Sequence, residues 1–336
     1  MSGMVREHFA DRLTAAIEAK QSRVCVGLDP SADRVPPRVR AQATGEVGPG
    51  PAADAHALWL FNRALIEAVA PYAAAVKPQS AYYEVHGSAG IAALERTIAY
   101  AHEAGLLCIL DGKRNDIAST AQAYAEAYLG GGPLGCDALT VNPYLGSDGI
   151  RPFAEAAAAH GRGLFVLVKT SNPSSAELQD LTITGSRARA GGTLHEHVAR
   201  LVSDWGAAHV GQSGYSLVGA VVGGTHPEVV AELRRRLPHT WFLVPGFGAQ
   251  GAGSQEVAAA FDGNGRGAIV NSSRGIIYAH QATDLSRAYA PEEFAEAAGE
   301  AARAMRDEIN AALAQVGRHG RSGDLPHRRR AGGAGR

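Results

Sequence analysis

Eight short apolar runs, each followed by a stretch with helical spacing, constrain this chain of 336 residues more than any other feature. The runs are Val24–Leu28, Ala74–Lys77, Leu106–Asp111, Ala138–Val141, Leu164–Lys169, Leu217–Val222, Trp241–Pro245 and Ala268–Val270. They are too short for buried helices and have the length and aliphatic content of strands covered on both faces. Between them lie amphipathic stretches at Ala55–Ala70, Ala89–Glu103, Ser119–Tyr128, Arg151–His160, Leu194–Trp205, Pro227–Arg236 and Ser254–Phe261. A first helix is expected at Val5–Lys20 and a last one at Pro291–Ala314. Strand then helix, repeated this way, implies a parallel sheet.

Eight such units fit a closed (β/α)8 TIM barrel better than an open, doubly wound sheet. The polar residues agree, because Asp29, Lys77, Asp111, Asn142, Thr170, Pro245 and Asn271 each stand where a strand gives way to a loop. In a barrel that C-terminal rim is where sites are built. A single domain is expected over residues 1–316, with an extra N-terminal helix. Two stretches interrupt the pattern. Residues 41–54 are rich in Gly, Pro and Ala and read as a loop. Residues 171–192 form a connection long enough to suggest a functional lid.

Composition excludes several classes. The chain's net charge is −1, yet residues 317–336 hold six Arg against Asp324. The globular part is therefore acidic and poorly suited to general nucleic-acid binding. The Arg/Gly-rich tail reads as disordered. Cys25, Cys108 and Cys136 sit in or beside apolar runs without metal-ligand spacing, as reduced core residues of a cytoplasmic protein would. No apolar run approaches a membrane span, and Glu7, Asp11 and Glu18 break up any signal-peptide core. The 13 His residues form no metal motif, and His195 and His197 are spaced to splay off a helix. No metal and no cofactor are expected. Tyr82, Tyr83 and Trp205 read as packing residues.

Chemistry concentrates in Asp111-Gly112-Lys113-Arg114-Asn115-Asp116-Ile117. Asp111 and Lys113 are two apart at a strand end, so strand alternation points both the same way. Asp116 follows in the turn, close enough to join them. Two carboxylates would hold Lys113 charged and fixed, and would repel an anionic substrate group. The same residues would equally make a salt bridge on the rim. After the seventh run comes Pro245-Gly246-Phe247-Gly248-Ala249-Gln250-Gly251, a formal G-x-G-x-x-G. A dinucleotide fold would place that motif in its first βα unit with an acidic residue about 20 positions on; position 271 is Asn. A Gly-rich loop after strand seven suits instead a barrel's phosphate site, with Gln250 as an added donor. Arg274, after the eighth run, is placed for a bidentate phosphate contact across from it.

Taken together, these segments resemble the orotidine 5′-phosphate decarboxylase family, in its longer bacterial branch. The D-x-K-x-x-D-I signature stands here as Asp111, Lys113, Asp116 and Ile117. Val26-Gly27-Leu28-Asp29, Lys77-Pro78-Gln79 and Lys169-Thr170-Ser171-Asn172-Pro173 are similar to the ends of the family's strands one, two and five. Pro245 to Gly251 and Arg274 match its phosphate loops. The likeness runs from about Arg23 to Ala279 in the right order. Asn115 stands where the longer branch usually has Gly, and Ser273 where shorter members have Gly.

The resemblance implies a homodimer with shared active sites acting on orotidine 5′-monophosphate (OMP). Asp116, and Thr120 beyond it, would reach into the partner's site toward the ribose, and Ile117 would contact substrate. Asp29 and Lys77 would hold ribose hydroxyls, Lys77 would orient Asp111, and Ser171 would contact the pyrimidine. Pro245, Gln250, Gly251 and Arg274 would line the phosphate end. Lys113 would stabilise a carbanion and protonate it. Two rivals stay open at this point. One is a Mg-dependent sugar-phosphate decarboxylase or aldolase of the same superfamily, and the other is a non-catalytic phosphate-ligand binding protein.

Overall fold

The computed structural model describes residues 7–184, 191–248, 253–282 and 285–322, with side chains described through Gln315. Eight parallel strands close into a barrel in sequence order. They are β1 (Val24–Leu28), β2 (Ala75–Pro78), β3 (Leu107–Arg114), β4 (Ala138–Val141), β5 (Gly163–Lys169), β6 (Val218–Val222), β7 (Phe242–Pro245) and β8 (Ala268–Ser272). Each expected run became a strand, because aliphatic side chains on both faces are buried, inward among themselves and outward under the helices.

The helix Phe9–Lys20 closes the bottom of the barrel. Phe9 meets Phe165 of β5 edge-on at 6.0 Å, and Gly163 leaves the room, since a Cβ there would overlap the Phe9 ring. Beneath the same strands Asp137 is buried and gathers Arg12 at 2.5 Å, Arg162 at 3.3 Å and His102 at 2.9 Å. It also accepts the Cys108 N–H at 2.8 Å. These contacts tie the N-terminal helix, β3 and the start of β4 together. Cys25, Cys108 and Cys136 are buried and unpaired, and burial pushes the Cys25 thiol up to about 12.

Three expectations need correction. Residues 41–54 are not a loop: they belong to two helices, Pro37–Val47 and Pro51–Val69. Pro37 and Pro51 each open a helix, where a missing N–H costs nothing, and Gly48 and Gly50 with φ of +80° and +130° make the corner between them. The helix expected at Ser254–Phe261 stops at Ala258. The last helix spans Phe294–Ser322 and so passes both Ala314 and residue 317. Residues 323–336 lie outside the described residues, and no described helix is long and apolar enough to cross a membrane.

Candidate active site

A cavity of about 520 Å³ opens at the C-terminal rim of the barrel. Its wall brings together Asp29, Lys77, Asp111, Lys113, Ser171, Pro245 and Arg274, contributed by six different strand ends. Asp111 is the hub. The buried Lys77 ammonium donates to its Oδ2 at 2.7 Å and the half-exposed Lys113 ammonium to its Oδ1 at 2.6 Å. Burial alone would raise the Asp111 carboxyl, but the two ammoniums override it and hold the group ionised well below the usual range. Burial likewise disfavours the Lys77 ammonium, and Asp111 and Asp29 more than restore it.

Strand alternation does not account for the Asp111–Lys113 contact. Leu110 pairs with Leu139 and Arg114 with Val141, so Asp111, Gly112 and Lys113 of β3 stand opposite Thr140 alone. This bulge leaves Lys113 at φ +45°, a left-handed conformation that a residue with a Cβ adopts only when held. The hold is visible. The Thr140 hydroxyl accepts the Lys113 N–H at 2.9 Å and donates to Asp111 Oδ1 at 2.9 Å. Asn115, where the family resemblance implies Gly, is not left-handed; Ala118, at φ +50°, is.

Asp116 does not join Asp111 and Lys113 within its own chain. Its carboxylate accepts the Ile117 N–H at 2.8 Å, and Ile117 and Thr120 are exposed. None of the three lines the cavity.

The far end of the cavity is built for an anion. Gly246 and Gly248 follow β7 with φ of +101° and +73°, which lets backbone approach closely. Across from them Arg274 has no ion-pair partner among the described residues, and opens a short helix whose first N–H groups have no intrahelical acceptor. Ser273 fits there because Gly27 lacks a side chain, as a Cβ on Gly27 would overlap the Ser273 hydroxyl. Gln250 and Gly251 lie outside the described residues. Between the two ends, Asp29 Oδ1 and Asn271 Oδ1 are buried without a partner among the described residues, a cost that a polar ligand would relieve.

These features meet a direct comparison. The orotidine 5′-phosphate decarboxylase / HUMPS family model matches residues 22–289. The chain belongs to this family. The orotidine 5′-phosphate decarboxylase of Rhodopirellula baltica is 45% identical over 306 residues, 90% of this chain and 98% of that protein. That of Deinococcus radiodurans is 41% identical, over 91% and 98% of the two chains. The solved OMP decarboxylase of Leishmania donovani superposes with a TM-score of 0.67 at 34% identity, over 91% and 98% of the two chains.

Within this decarboxylase family site, sequence reasoning missed Thr140 and Gln179 and misread Tyr82. Thr140 looks like a β-branched barrel filler until the β3–β4 register is known. Gln179 lies on the strand-five connection and clamps Thr170 from both sides, accepting its N–H at 2.9 Å and donating to its hydroxyl at 2.7 Å. Beside it Lys169 pairs with Asp180 at 2.6 Å, and His195 approaches the same carboxylate at 3.2 Å. The connection is thereby anchored to the helix Leu194–Gly206. Tyr83 packs in the core as expected, whereas Tyr82 is exposed and lines the cavity mouth. Asn142 stays outside the cavity and closes its own turn through the Tyr144 N–H.

Proposed function

We infer that this protein is a carboxy-lyase that converts OMP to UMP and CO₂ in pyrimidine biosynthesis. The observation that carries the reading is the Lys77–Asp111–Lys113 array at one end of the cavity, with Arg274, which has no ion-pair partner among the described residues, at the other. Loss of CO₂ from C6 of the pyrimidine leaves an electron pair in the ring plane, where the π system cannot take it up. Stabilisation must then come from fixed charge. Lys113 supplies that charge and afterwards delivers a proton to C6. Asp111 holds Lys113 in place, and its own negative charge faces the carboxylate that departs. Arg274 and the glycine turn grip the 5′-phosphate far from the reacting carbon, so that remote binding energy aligns C6 with Lys113. Asp29 and Lys77 hold the ribose hydroxyls and Ser171 the pyrimidine.

The sites are shared in a homodimer. Ile117 and Thr120 are exposed and Asp116 partly so, and the exposed Leu145 lies close by, since it and the Asp116 carbonyl both approach Gly149; Tyr144 beside Leu145 is exposed as well. A second copy seated there would bring its Asp116 toward Lys113. The enzyme works in the cytoplasm, with its three thiols reduced.

A Mg-dependent sugar-phosphate reaction fits the donors less well. Both oxygens of Asp111 are taken by lysine ammoniums, which repel a divalent cation. The direct test is loss of OMP absorbance in the presence of EDTA. Turnover that survives chelation supports the reading, and absent turnover of OMP overturns it.

A further inference from the structure

Thr140 is the only β4 residue facing the bulge, and its side chain is almost wholly buried. A hydroxyl has one proton to give and lone pairs to accept, and both capacities are spent on β3. The Lys113 N–H donates to it, and it donates to Asp111 Oδ1. Thr14, Thr44 and Thr97 behave differently, since each returns its hydroxyl to the carbonyl four residues back in its own helix. Thr140 alone of these ties together two functional residues on another strand. Asp111 Oδ1 thus receives two hydrogen bonds, from Lys113 Nζ and from Thr140, so the carboxylate cannot rotate without breaking both.

We propose that Thr140 is a positioning residue for decarboxylation, fixing both the Asp111 carboxylate and the left-handed backbone from which Lys113 reaches the cavity. It acts through Lys113. A methyl in place of the hydroxyl would leave the Lys113 N–H without an acceptor, and would free the chain to leave a conformation it otherwise avoids. The ammonium would then sit off line from the reacting carbon. Substrate binding at the phosphate and ribose would change little, because Thr140 bonds Oδ1 of Asp111 and leaves the Lys77 bond to Oδ2 in place. The effect therefore falls on kcat rather than on KM.

This proposal rests on the decarboxylase reading, and the experiment separates the two. T140V and T140S are compared with the unaltered enzyme for kcat and KM on OMP, for inhibition by UMP, and for thermal unfolding. Expected is a fall in kcat of roughly 10–100-fold in T140V with KM and UMP inhibition near wild type, and recovery of most of it in T140S. Amide hydrogen exchange at Lys113, which needs no substrate, should quicken in T140V and stay slow in T140S. A T140V enzyme of normal kcat, or a T140S enzyme as impaired as T140V, overturns the positioning role. If T140V fails to fold, T140A against T140S puts the same question. If the unaltered protein does not turn over OMP, the decarboxylase reading fails, while the exchange rates still decide whether Thr140 holds Lys113.

Discussion

The Lys113 ammonium lies 2.6 Å from Oδ1 of Asp111, its neighbour but one in the chain, and it gets there from a backbone φ of +45°. Two residues in a regular strand would point the same way without their head groups being forced together. Here the bulge in β3 brings them into contact, and the contact defines what each can do.

On the proposed mechanism Lys113→Ala removes both the cation and the proton donor. Turnover of OMP should fall by about 10⁴-fold or more, since general acid and electrostatic contributions are lost together. The half-exposed side chain supports no core packing, so circular dichroism and the unfolding temperature should stay near those of the parent. A kcat near normal in a folded variant would remove Lys113 from the mechanism.

Arg274→Ala should act on recognition of the phosphate. Losing a bidentate, charge-assisted contact is worth about 3 kcal/mol, or roughly a hundredfold in kcat/KM for OMP. Orotidine has no phosphate, and its slow turnover should not change. Equal losses on the two substrates would mean that Arg274 serves the structure of its loop.

Asp116 allows a test of site sharing. Lys113→Ala and Asp116→Ala proteins, each nearly inactive alone, should regain activity when mixed. A mixed dimer would carry both defects in one site and neither in the other. With random exchange about half of the dimers are mixed, so about a quarter of wild-type activity should return. Subunit exchange confirmed by mass with no recovered activity would place Asp116 in its own chain's site.

Asp137 predicts an acid limb of stability. Burial would raise its carboxyl, but His102 and Arg12, with the Cys108 N–H, hold it down at about 2 against an ordinary 3.8. Its charged form is thus favoured in the folded protein. The resulting stability is fully present above about pH 4 and drains away as pH falls toward 2. It amounts to roughly 2 kcal/mol. Asp137→Asn should lower stability to denaturant at pH 7, and the gap to the parent should narrow steadily below pH 4. A gap that does not change with pH would assign the loss to packing.

Much of this molecule was legible in its sequence because barrels write their strands as short aliphatic runs and their chemistry at the ends of those runs. Asp111, Lys113 and Arg274 could be found that way, each announcing itself as a charge at the edge of an apolar segment. Residues 41–54 were misread because Gly, Pro and Ala also suit helices when Pro stands first and Gly last. Thr140 could not be found, since its meaning depends on which β3 residues it faces, and a register broken by a bulge is invisible along a single chain. Spacing alone put Asp116 beside Asp111 and Lys113, because it does not say which way a turn faces; only the family resemblance pointed Asp116 toward a partner's site.

The close fit between Gly27 and Ser273 also restricts the order in which this protein can diverge. While position 273 carries a hydroxymethyl group, any side chain at position 27 must displace the loop that presents Arg274. With glycine at position 273 the side-chain overlap disappears, and a Cβ at position 27 then meets only the backbone Cα of residue 273, at 3.2 Å. The two positions are therefore coupled across the barrel seam: a side chain on the first strand calls for a smaller residue beyond the eighth, and without it the loop that carries Arg274 must move.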